Sequence, residues 1–258
     1  MEFGSRITAV IPQDFYTRGF LEAVDRQTKI DVFEKFGIDV GRDWMCNTIT
    51  NAVVESLLQA MATDMAQESA PKAYLNFYDV FDIRISTKRE SRAEKEGNIN
   101  VAFEAGPKAI ALIDSNVRKD QEEVEKVDPI RFFNIEDPDM DPDMLKAMNQ
   151  KYFDIDRKAR YEMSRTYGYV MPDAAAMGAF AVAYIFFLNL FKKLLFDIGQ
   201  DPSKELVSVN FNDNIEVHVL RKDGGIIFSM RPGYNTKLIV KSDNSTEEMD
   251  TDVPWASF

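Results

Sequence analysis

Apolar positions recur at three- and four-residue spacing twice in the first quarter of the chain. Leu21, Val24, Ile30, Val32, Phe33 and Phe36 line a helix over 21–36, with Gly37 as its stop. A second helix is predicted over 43–67, where Ile49, Val53, Val54, Leu57, Leu58, Met61 and Met65 form one continuous stripe. The period then drops to two. Phe81, Ile83 and Ile85 alternate within 73–85, which is strand chemistry. A charged interval, 88–97, separates this stretch from a short strand over 98–104. Gly106-Pro107 breaks the pattern, and 108–117 reads as a short closing helix.

In the second half, Asp141 followed by Pro142 has the form of an N-cap with proline at the first helical position. The helix it opens runs to about Tyr167 and uses Leu145, Met148, Tyr152, Phe153, Ile155 and Ala159. From Ala174 to Phe191 no residue is charged, and Lys192-Lys193 closes the run. Four strands are predicted after it, over 206–211, 215–220, 226–230 and 237–240. Asp223-Gly224-Gly225 supplies the positive φ angles of a tight hairpin, and Pro232-Gly233 makes the next turn. No internal repeat is evident.

The 19 Phe and 9 Tyr among 258 residues supply enough core material to exclude wholesale disorder. The net charge of −12 is concentrated in two places. Between Asp120 and Asp143 there are ten acids and two bases, and 243–258 holds five acids and no base, so the remainder is close to neutral. Those segments repel phosphate and would attract a basic protein surface. Met1–Arg6 is not a charged-then-apolar leader and is left out of the fold argument.

Candidate chemistry is sparse. A single cysteine, Cys46, rules out an internal disulfide, and burial as a small hydrophobe is expected for it. The lone His218 falls on the outward side of an alternating strand with Glu216, not in a cleft beside a serine. Asp137, Asp139, Asp141 and Asp143 alternate like calcium-loop ligands. The sixth and twelfth positions of that loop, however, are Pro142 and Met148 where glycine and glutamate are required. No phosphate loop or dinucleotide fingerprint is present. The expectation is therefore no catalytic residues, no metal and no cofactor.

The run 174–191 approaches the roughly 20 residues that span a bilayer. Asn189 inside it and Asp173 at its edge favour a helix hidden in a core or at a subunit interface, with Gly178, Phe180, Tyr184, Phe187 and Phe191 as its buried positions. A membrane is not the expected partner.

Residues 21–119 resemble the HU/integration-host-factor family of bacterial DNA-binding proteins. Val53–Met65 looks like the family's second helix, Lys72–Ile85 like its strand pair, and Gly106-Pro-Lys-Ala-Ile-Ala-Leu-Ile-Asp-Ser-Asn-Val117 like its closing helix. The resemblance implies a dimerisation framework with a DNA-binding arm, here carrying Arg84, Lys88, Arg89, Arg92 and Lys95. The chain departs from the family at two points. Asn76 and Asp79 stand where the family has glycines around the turn phenylalanine. The arm, Arg89–Gly97, has zero net charge and lacks the proline that wedges between base steps.

These readings predict an α+β protein: an HU-like helical and β-arm module over 7–119, an acidic linker over 120–143, a helical plus β-meander domain over 144–242 with a buried apolar helix, and an acidic tail over 243–258. The expected function is that of a non-enzymatic, self-assembling structural protein, of the head–tail connector or tail-ring type in tailed-phage virions. It would be found in the virion or the bacterial host cytoplasm, with itself and other virion proteins as partners. One alternative is an acidic dimeric binding protein that mimics nucleic acid through Asp137, Asp139, Asp141 and Asp143 and blocks a basic host protein. The other is an HU-like binder of duplex DNA.

Overall fold

The computed structural model describes residues 13–68, 72–88, 98–115, 133–171, 177–222 and 225–244. Six helices and two three-stranded antiparallel sheets make up this part, consistent with the predicted α+β class. The order is α1 (Gln13–Phe36), α2 (Cys46–Glu68), β1 (Lys72–Phe77), β2 (Phe81–Lys88), β3 (Asn98–Ala105), α3 (Pro107–Ser115), α4 (Pro142–Tyr167), α5 (Gly178–Gln200), β4 (Leu206–Phe211), β5 (Ile215–Lys222), β6 (Gly225–Pro232) and α6 (Tyr234–Asn244). Helix, helix, three-stranded meander, helix thus occurs twice, which corrects the expectation of no internal repeat.

The helix ends follow from local chemistry. Gly37 (φ 68°) and Gly168 (φ 70°) close α1 and α4 in the left-handed conformation, where a side chain would be strained. Asp141 caps α4 as predicted, its carboxylate accepting from the N–H groups of Asp143 and Met144 at 3.0 and 3.1 Å.

The two meanders are built around the same turn. Tyr78 and Asp79 have positive φ between β1 and β2, as Asn212 and Asp213 have between β4 and β5. Asn76 Oδ1 accepts from Asp79 N–H at 3.0 Å, and Asn210 Oδ1 from Asp213 N–H at 2.8 Å. The following helix docks on each turn: Gly106 N–H donates to Val80 O and Lys108 N–H to Asp79 O, while Gly233 N–H donates to Asn214 O and Asn235 N–H to Asp213 O. A Cβ at Gly106 would stand 2.3 Å from Asp79 O, and one at Gly233 1.9 Å from Asp213 O, so only glycine permits this approach.

The predicted strand over 237–240 is a correction: these residues lie in α6. Their β-branched run reads as strand, but the docked N–H groups of Gly233 and Asn235 start a helix. Thr236 and Val240, four residues apart, form its buried side. Asp223 and Gly224 lie outside the described residues.

One core joins everything. Helix α5 is its axis: Gly178, Phe180, Tyr184, Phe187 and Phe191 are all buried within the single chain. Phe187 takes ring contacts from Phe77 (6.4 Å) and Phe81 (4.8 Å) of the first sheet and from Phe211 (5.4 Å) of the second. The polar residue inside the apolar run is satisfied, because Asn189 Nδ2 donates to Asp31 Oδ2 at 2.8 Å. Helix α5 is long and apolar enough to cross a bilayer, yet its apolar surface is spent inside this core.

Candidate functional site

Of the residues assigned to a DNA-binding arm, Arg84 and Lys88 lie among the described residues. Arg84 is exposed on the outward face of β2, paired with Glu104 at 3.1 Å and stacked 5.7 Å from the Tyr74 ring centre. Asp82 on the same face accepts from Tyr74 Oη at 2.9 Å and Asn76 Nδ2 at 2.7 Å. Lys88 ends β2 opposite Asn98, and Arg89, Arg92 and Lys95 lie outside the described residues.

Alternation places Lys72, Asp82, Arg84 and Glu104 on the outward face of the first sheet, and Glu216 and Arg231 on that of the second, where they are cross-strand partners. Arg84 is ion-paired with Glu104, Arg231 stands opposite Glu216, and Lys72 stands opposite Ser86. His218 shares the second face, 3.6 Å from Glu216 and flanked across the strands by Ser208 and Ser229.

The acidic residues 137–143 serve local structure. Asp137 Oδ1 accepts from Asp139 N–H at 3.0 Å, and Asp141 is the α4 cap. Asp139, Asp141 and Asp143 are exposed. Among the described residues, no cluster of His, Cys, Asp or Glu could hold a metal ion.

Cys46 is fully buried at the start of α2, and its thiol is pushed up by burial and by the neighbouring Asp25 carboxylate. It is held in its protonated, unreactive form.

The sequence reading missed two buried carboxylates. Asp25 on α1 accepts from the Cys46 N–H and, at 3.3 Å, the Asn47 N–H, and pairs with Lys29 at 3.4 Å. Asp156 on α4 accepts from the Phe180 N–H at 2.9 Å and pairs with Arg160 at 2.9 Å. Each supplies the negative charge that a helix N-terminus favours. Burial outweighs those partners at Asp156 and pushes its carboxyl up to about 6. The signal was an aspartate inside an apolar stripe with a basic residue four positions on.

A further acidic contact lies where α2 meets α4. Burial raises the Glu55 carboxyl, which accepts from Asn51 Nδ2 at 2.9 Å and lies in the field of Glu162.

Comparisons of the chain with family models, with curated proteins and with solved structures found no match.

Proposed function

We propose that the protein is a non-enzymatic structural protein on an HU-like framework, of the connector or ring class found in tailed-phage particles. The observation that supports this reading is Arg84, the arm candidate whose side chain is described, which is paired with Glu104 at 3.1 Å and lies over the Tyr74 ring. A nucleic-acid binder gains affinity by releasing counterions from phosphate, which requires unbalanced cations. A cation already held by a carboxylate instead suits contact with other protein. The buried cysteine, the strand-borne histidine and the capping carboxylates are each committed to structure, so the reading assigns them no chemistry.

Mass in solution over a range of protein and salt concentrations, together with duplex-DNA titration, tests this reading. A defined assembly of whole chains with no salt-dependent DNA affinity is the expected result. A chain that stays single under all conditions and binds duplex DNA with a steep salt dependence would overturn it.

A further inference from the structure

We infer that residues 13–115 and 142–244 are two copies of one folding unit closed on each other about a two-fold axis. The chain then supplies in cis the interface for which a lone unit would need a second copy.

Three independent observations carry this. First, element order and turn chemistry coincide. Asn76, Asp79 and Gly106 do in one half what Asn210, Asp213 and Gly233 do in the other, down to the two N–H groups that dock on the turn. Second, the helix pairs are matched internally. Asp25 and Asp156 each cap the next long helix from a buried position beside a cation four residues on, and Gly37 and Gly168 close the helices that carry them.

Third, all but one of the main contacts between the halves survive their exchange. Helix α1 packs on α5, and its counterpart α4 packs on α2. Helix α6 packs on α2, and its counterpart α3 packs on α5. Two more pair an element with its own counterpart, α2 with α5 and β3 with β6, while the contact of α6 with β3 is not matched by one of like extent between α3 and β6. Contact of i with j accompanied by contact of j with i is the mark of a closed two-fold interface. A repeat stacked by translation would leave one face of each unit unpaired at an end. Single polar contacts follow the same rule. Asn189 of α5 meets Asp31 of α1, and the equivalent positions, Glu55 of α2 and Glu162 of α4, also face each other.

A two-fold axis makes a testable demand on chain connectivity. The step from the end of α3 to the start of the second unit must match the step from the end of α6 to the start of the first. A permuted chain would begin at Phe133, run to Asn244, continue through a copy of 116–132 and finish with residues 2–115. It is expected to give one cooperative unfolding transition and the parent's circular dichroism spectrum and elution volume.

The second measurement inserts a protease site within 116–132 of the parent and cleaves the folded protein. The halves are expected to co-elute and to part only in denaturant, since each buries the other's long apolar helix. Halves that separate and run as folded single units would overturn the inference. A permuted chain that fails to fold while the cleaved parent holds together would overturn it too, because the halves would then be joined but not equivalent. Neither measurement depends on the structural role proposed above, which stands or falls on assembly and DNA binding.

Discussion

Asp25 and Asp156 perform one task in two places, each reaching from a buried position to the first N–H groups of the next long helix. Removing either leaves the buried N–H groups it caps without their carboxylate acceptor. A buried donor left without its acceptor costs about 1–3 kcal/mol. Asp156→Ala and Asp25→Ala are each expected to lose stability on that scale in denaturant unfolding. A loss below about 1 kcal/mol would show that the caps carry little.

Asp156 also sets a pH dependence. Its folded value of about 6 lies above the roughly 3.9 of an unfolded aspartate. Between those values the folded chain holds a proton that the unfolded chain has released. This contribution therefore favours the fold at the acid end and is lost as pH rises through 6. Stability measured from pH 4 to pH 7 should contain a declining component that Asp156→Asn removes, the amide keeping an acceptor for Phe180 N–H. An unchanged slope in the variant would contradict the assignment.

At the α2–α4 contact the charge works against the fold. Glu55→Gln keeps an acceptor for Asn51 and removes the repulsion from Glu162. A gain of about 1 kcal/mol at neutral pH is expected, a typical size for relief of one unfavourable interaction. Because the Glu55 carboxyl is raised, the gain should shrink as pH falls and the wild-type group takes up its proton. Equal gains at both ends of the range would point to a cause other than charge.

Gly106→Ala and Gly233→Ala should fail in the same way. In each, the new methyl group meets a backbone carbonyl that cannot rotate aside. Overpacking of this kind costs about 1–3 kcal/mol or more. The two variants are expected to show similar falls in thermal midpoint, whereas Gly199→Ala, with open space around it, should not. A neutral Gly233→Ala would mean that α6 can lift from its turn.

Much of this architecture was legible from spacing. Helices α2 and α4, strands β2 and β3 and the three strands of the second meander follow directly from apolar periods of 3.6 and 2, since burial on one side enforces them. The α6 segment misled because Leu238, Ile239 and Val240 favour strands locally, while the contacts that start the helix come from a turn far back in the chain. The repetition was hidden because equivalent core positions carry different residues. Val53 and Phe187 occupy the same place, as do Leu57 and Phe191, since packing conserves volume across a contact, not identity at a site. The Asn-Phe-x-Asp of 76–79 and 210–213 was the one visible trace, and the aspartate–cation pair on each first helix was the other. Neither pointed to a ligand.

Joining two such units in one chain releases them from identity. A pair of identical chains must show the same surface on both sides of its axis. Here α4 exposes Arg157, Lys158 and Arg165 where α1 exposes Arg26, Gln27 and Glu34. The molecule consequently has a left and a right. It can be laid between two unlike neighbours in a single orientation, so polarity along an assembly can be written into one polypeptide.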